Sequence, residues 1–169
     1  MPNYSPCRNT DIVRLRRATP ADILQMRQLE QHVATAAHWN AAQYNALFSP
    51  GAASRLAVVA TADSSEASVV GFLVVRCLAD EWEIESVVVA TESRHRGIGS
   101  ALVRELVAEA RTGGACAIIL EVHESNLSAV QLYEKIGFRQ DGRRKDYYRD
   151  PIEDAILYRL SLQSCDKIP

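Results

Sequence analysis

Arg94-His95-Arg96-Gly97-Ile98-Gly99-Ser100 is the stretch whose reading decides the fold. Two glycines one residue apart allow positive φ angles and let a ligand approach the backbone closely. Immediately after them Ile98, Leu102, Val103, Leu106, Val107 and Ala110 recur at helical spacing, with Arg104, Glu105 and Glu109 elsewhere on the helix. Gly113-Gly114 stops that helix. Immediately before the loop, Glu81–Val89 reads as a strand. A strand, a glycine loop and a helix in that order expose the unpaired N–H groups and the positive dipole end of the first helical turn, which suits a phosphate. Arg94 and Arg96 add positive charge. Taken alone, the loop fits equally well a tight turn with two exposed arginines. It is not a P-loop, because no lysine precedes Ser100. A dinucleotide fingerprint also fails, because Leu102 stands where its third glycine would be.

Upstream of the loop, Ile12–Arg16 alternates as a strand. Thr19-Pro20-Ala21-Asp22 combines an N-cap, a first-turn proline and a first-turn acid, starting a helix to about His32. Asn40 caps a second helix, Ala41–Phe48. Arg55–Ala60, Val69–Arg76 and Glu81–Val89 then read as an antiparallel meander, with Thr61–Ala67 as a polar turn. Downstream, Cys116–Val122 is a strand and Asn126–Ile136 a helix closed by Gly137. Phe138–Lys145 and Ala155–Leu162 are final strands. The order β-α-α-β-β-β-α-β-α-β-β implies one α/β (α+β) domain with a mixed sheet. It spans residues 11–163, with residues 1–10 and 164–169 as loose ends.

The chain has 169 residues, 47% of them hydrophobic and 24% charged, with 19 basic and 21 acidic side chains and a formal charge of -2. That suits one globular domain and argues against a globally basic nucleic-acid binder. The longest apolar run, Val69–Val75, falls far short of the roughly 20 residues of a membrane-spanning helix. The first ten residues lack the apolar core of a secretory signal, so a cytoplasmic location is expected. Cys7, Cys77, Cys116 and Cys165 have no metal-ligand spacing, nor do His32, His38, His95 and His123, so no metal is expected. Cys77 and Cys116 read as reduced core thiols.

Arg94-x-x-Gly97-x-Gly99 resembles the pyrophosphate motif of the GNAT N-acetyltransferases. The likeness extends through residues 13–22, Glu83–Val89, Leu120-Glu121-Val122 and the block Asn126-x-x-Ala129-x-x-Leu132-Tyr133-Glu134-x-x-Gly137-Phe138. The resemblance implies a mostly antiparallel sheet splayed between its fourth and fifth strands, flanked by about four helices, with acetyl-CoA in the gap. Val87, Val88 and Val89 would bond the pantetheine arm through their backbone. Arg94, His95, Arg96, Gly97, Ile98, Gly99 and Ser100 would wrap the pyrophosphate. Asn126 would touch the cofactor as well as capping its helix.

Acetyl transfer to an amine needs a base for the ammonium, an acid for the departing thiolate and donors for the carbonyl oxygen. The resemblance is nearest to the ribosomal-protein-alanine N-acetyltransferases and gives Glu121 as base and Tyr133 as acid. Without it, Glu121 reads as a solvated strand end and Tyr133 as a core tyrosine. Trp39, Tyr147 and Tyr148 match the acceptor side. Glu83 and Glu85 share a strand face and fit either that side or a plain surface. His123 is a candidate proton relay. His38 before Trp39, Asp146 before the tyrosines and the short Arg149–Ile152 loop depart from the subgroup, which leaves the acceptor open. A protein N-terminus, such as that of a ribosomal protein, and a small amine (polyamine, amino acid or antibiotic) both fit. So does a non-catalytic acyl-CoA sensor. Arg139, Arg143, Arg144, Lys145 and Arg149 suit a solvated hairpin or a partner contact. A monomer and a homodimer fit alike.

Overall fold

The computed structural model describes residues 13–33, 39–49, 55–62 and 68–162. The expected loose ends, His38, Cys7 and Cys165 lie outside the described residues. Seven strands form one sheet: β1 (Val13–Arg17), β2 (Arg55–Ala62), β3 (Ser68–Leu78), β4 (Glu81–Val89), β5 (Ala117–His123), β6 (Arg139–Arg149) and β7 (Ile152–Ser161), in the order β1-β2-β3-β4-β5-β7-β6. Among the described residues only the β4–β5 pair is parallel; its crossover contains the helix that follows the glycine loop. Four helices flank the sheet: α1 (Ile23–Gln31), α2 (Ala41–Ala46), α3 (Ile98–Thr112) and α4 (Leu127–Ile136). No helix among the described residues is long and apolar enough to cross a membrane.

Local chemistry sets the helix ends. Thr19 and Asp22 form a reciprocal capping box around a short 3-10 turn, Pro20–Asp22, ahead of α1. Asn40 and Gln43 do the same for α2, and Asn126 caps α4 by accepting from the Ala129 N–H. Gly137 ends α4 at φ 113°, where a side chain would be strained. Three expectations change. Thr61 and Ala62 belong to β2, not to a turn, because they pair with Val69 and Ser68. The last two strands are longer than their patterns suggest: β6 is an exposed edge strand with little hydrophobic alternation, and β7 begins at Ile152 because Ile152 and Glu153 pair with Arg149 and Tyr148. Cys116 is disulfide-bonded, correcting its reading as a reduced thiol, whereas Cys77 is free.

Two apolar clusters sandwich the sheet. One joins Met26 of α1 and Tyr44 of α2 to Val59, Phe72, Val74 and Val88. The other joins Leu102, Val103 and Leu106 of α3 and Tyr133 of α4 to Ile84, Ile118, Leu120 and Phe138. Strand β4 changes sides between them. Val75 pairs with Ile84 but Val74 with Ser86, so Glu85 is an extra, bulged residue. Trp82 and Ile84 therefore face α3, while Val88 faces α1. Unbroken alternation would have placed all three together.

Candidate active site

The bulge opens the sheet. Pairing of β4 with β5 runs from Glu81–Ala117 only to Ile84–Leu120. Bulges bend a strand and increase its twist. Beyond Glu85, β4 continues to Val89 and β5 to His123 with no ladder between them. The expected splay between the fourth and fifth strands is thus present, and Val87–Val89 form one edge of the gap.

At the end of β4, a 3-10 turn (Thr91–Ser93) leads into the glycine loop. His95 and Gly97 have positive φ angles of 58° and 82°. The α3 ladder begins with Ala101 N–H donating to Gly97 C=O at 2.9 Å. The N–H groups of Ile98, Gly99 and Ser100 thus stand ahead of the ladder at the positive helix end. Gly99 faces α4: a Cβ there would lie 3.4 Å from Leu132, in van der Waals contact. Ile98 is buried and anchors the loop, whereas Arg94, His95 and Arg96 are exposed. Arg94 Nε donates to Val89 C=O at 3.3 Å, tying the loop to the gap. Arg94, Ser125, Asn126, Leu127 and Ser128 line a groove of about 520 Å³ with His32 and Val33. It can hold an elongated, phosphate-bearing ligand.

Glu121 lies on β5 one residue past its last pairing with β4. It is not a bare strand-end carboxylate, because Arg144 Nη1 lies 3.0 Å from it and Arg144 also covers the Tyr147 ring at 5.3 Å. Hydrogen bonding to Glu121 raises the Tyr147 phenol. Tyr148 stacks on His123 with ring centroids 3.3 Å apart, and burial pushes its phenol up to about 12, aided by the Glu121 charge. His123 Nδ1 lies 3.1 Å from Glu153, which also accepts the Ser125 N–H ahead of α4. His123 is thus held between the Tyr148 ring and the Glu153 carboxylate. The tyrosines reach both β5 residues because β6 carries extra residues between Arg144–Ala155 and Tyr148–Glu153. Asp146 occupies that bulge at φ 50° and its N–H donates to Asp154 at 2.9 Å.

Tyr133 is 6% exposed, with its ring edge-on to Phe138 at 5.5 Å. Burial raises its phenol, and the nearby Tyr148 adds to the shift. A phenol so placed keeps its proton across the neutral range. Across the gap, Glu83 and Glu85 share a face but neither is open. Arg76 engages Glu83 at 3.1 Å through Nε, and Arg55 grips Glu85 with two bonds of 2.7 and 2.9 Å. Arg55 also lies over Trp39 at 5.9 Å, and the Trp39 N–H donates to Glu30 at 2.9 Å. Likewise Arg143 and Arg144 of the basic stretch meet Glu124, Asp154 and Glu121. Sequence reasoning missed these arginine partners, Glu153, and the buried hydroxyl of Ser86. The pairs are separated by 7 to 30 residues, and no local pattern links them.

The family model described as the acetyltransferase (GNAT) family matches residues 22–138, more than half of the chain. The chain belongs to that family. This GNAT chain is 33% identical over 93 residues to the [ribosomal protein bS18]-alanine N-acetyltransferase of Escherichia coli K12, covering 54% of this chain and 63% of that protein. It is 39% identical over 79 residues to the N-alpha-acetyltransferase RimI of Mycobacterium tuberculosis, covering 47% of this chain and 48% of that one. Among solved structures, the Escherichia coli ribosomal-protein-S18-alanine N-acetyltransferase aligns with a TM-score of 0.79 at 24% identity, covering 94% and 99% of the two chains. Arabidopsis thaliana NAA60 in complex with acetyl-CoA aligns at 0.78 and 18% identity, covering 90% and 100%. These likenesses show the fold, and the matched stretch spans 63% of the length of the Escherichia coli relative.

Proposed function

We propose that the protein transfers the acetyl group of acetyl-CoA to a protein N-terminal α-amine, of the ribosomal-protein-alanine type, by direct attack in a ternary complex. The observation that carries this reading is the open gap beyond Ile84–Leu120, with Glu121 at its edge and the glycine loop at the end of β4. The diphosphate meets the N–H groups of residues 98–100 and the pantetheine arm bonds β4 along Val87–Val89. Glu121 takes a proton from the acceptor ammonium through water. The free amine attacks the thioester carbonyl, a backbone N–H of β4 polarises its oxygen, and the C–S bond breaks. Tyr133 gives its proton to the thiolate, and the proton shed by the nitrogen as the amide forms restores the phenol. Trp39, Tyr147 and Tyr148 line the acceptor side. Support for a peptide acceptor comes from the relatives named above and from the tyrosine pair beside Glu121. A polyamine would need carboxylates to meet its additional charges, and Glu83 and Glu85 are already neutralised by arginines.

The test is thiol release from acetyl-CoA against N-terminal peptides, beginning with alanine-first sequences, and a panel of polyamines, amino acids and aminoglycosides. Peptide-dependent release with no response to the small amines is expected. Turnover of a small amine alone overturns the acceptor assignment. Saturable binding of acetyl-CoA without turnover of any acceptor overturns the transferase reading in favour of a non-catalytic acyl-CoA sensor.

A further inference from the structure

Ser86 is only 7% exposed, yet its hydroxyl oxygen has no hydrogen-bond partner. Asp22 and Thr61, also buried, have partners in Arg16 and the Arg14 carbonyl, and Glu30 is engaged through Oε2 by the Tyr44 hydroxyl and the Trp39 backbone N–H. A buried hydroxyl left unpaired is a standing cost that folding alone does not explain. Ser86 follows the bulged Glu85 and lies two residues past Ile84, the last residue of β4 bonded to β5. Its cross-strand partner is Val74, which belongs to the α1–α2 cluster. Ser86 therefore flanks the open gap on the side where Glu83, Glu85 and Trp39 lie. No imidazole or carboxylate is bonded to its hydroxyl to activate it, so covalent attack is not its chemistry.

We propose that Ser86 is a further catalytic residue, whose hydroxyl donates a hydrogen bond to the acetyl carbonyl oxygen as amine attack converts it to an oxyanion. This inference rests on the acetyl-transfer reading above. The serine forms and breaks no covalent bond. The N–C bond forms, the C–S bond breaks, and the protons move through Glu121 and Tyr133 as before. Ser86 supplies a second donor beside the backbone N–H, at a buried position where such a donor counts most. The proposal also accounts for a hydroxyl that is unpaired in the free enzyme: its partner exists only when the thioester is bound.

The experiment is steady-state kinetics and thermal unfolding of Ser86→Ala and Ser86→Thr beside the wild type, using the best acceptor peptide. For Ser86→Ala, kcat is expected to fall about 10- to 100-fold, with KM for acetyl-CoA within about twofold. Its Tm should be unchanged or higher, since only an unpaired buried group is removed. Ser86→Thr keeps the hydroxyl and should recover most of kcat. Wild-type kcat in Ser86→Ala overturns the proposal. So does a Tm lowered in step with kcat, which would make the hydroxyl structural. A wild type that neither binds nor turns over acetyl-CoA overturns the underlying reading and this one with it, whereas an active wild type with an equally active alanine variant overturns this one alone.

Discussion

Replacing Gly97 by alanine tests the diphosphate grip directly. Gly97 sits at φ 82° and ψ 1°, in the left-handed region. An L side chain there costs about 1–2 kcal/mol. No heavy atom lies within 4 Å of a Cβ built at Gly97, so packing adds nothing and the cost is backbone strain alone. For a domain of this size, that strain lowers Tm by roughly 2–8 °C. Asparagine tolerates the left-handed region, so Gly97→Asn should recover most of that loss. Affinity should behave differently. Both variants place a side chain on the loop beside the N–H groups of residues 98–100, and acetyl-CoA binding should weaken about tenfold, or about 1.4 kcal/mol, in each. Acetyl-pantetheine lacks the diphosphate and serves as the control: both variants should turn it over like the wild type. Calorimetric titration with acetyl-CoA, thermal unfolding and thiol release from the two thioesters supply the readings. If Gly97→Asn binds acetyl-CoA as tightly as wild type, or if acetyl-pantetheine turnover falls in step with acetyl-CoA turnover, the diphosphate is not held here.

Tyr133→Phe should lower kcat about 100-fold or more while leaving Tm nearly unchanged, because the ring keeps its contact with Phe138. Burial raises the Tyr133 phenol, so wild-type turnover should show no loss of this acid below about pH 10, and an earlier downturn that Tyr133→Phe abolishes would contradict the assignment. Arg16 holds the Asp22 carboxyl down at about 2, from an ordinary value of 3.8. A depressed folded-state value gives stability that is present above pH 3.8 and lost as pH falls through 2; discounted for the exposed Arg16, it is worth roughly 1 kcal/mol. Acid unfolding of Arg16→Gln should therefore lack that increment above about pH 4 and converge with wild type near pH 2, and coincident curves throughout would refute the pairing. Gly71→Ala would place a Cβ 3.0 Å from the Val88 carbonyl and 3.3 Å from Ile98. Overpacking of this kind costs about 1–3 kcal/mol, so Tm should fall by roughly 2–12 °C, as unfolding would show. An unchanged Tm would mean that β4 and the loop anchor yield freely.

The helices, their caps, the glycine loop and the meander are legible along the chain because each depends on residues within a turn or two of one another. Thr19 and Asp22 meet across three positions, as do Asn40 and Gln43, and each forms its cap whatever the rest of the molecule does. The roles proposed for Glu121 and Tyr133 come from resemblance, through Leu120-Glu121-Val122 and Leu132-Tyr133-Glu134. Their surroundings were not. Glu121 meets Arg144 across 23 positions, and the pairing follows from which strands adjoin and in what register.

The Glu85 bulge marks the boundary between what sequence and tertiary structure each determine. From Trp82 to Val88, buried and half-buried residues alternate without interruption, and nothing in that pattern announces an extra residue. The chain by itself determined that a strand would form here and that a glycine turn and a helix would follow, because propensity and backbone freedom are local. Where β4 bends, which face its valines present, and whether it stays bonded to β5 were decided by its neighbours. Side chains on a strand repeat every two residues, so one residue of slip against β3 turns the far half of β4 over. The gap at the centre of the proposed chemistry exists because that slip, invisible along the chain, carries β4 away from its parallel partner.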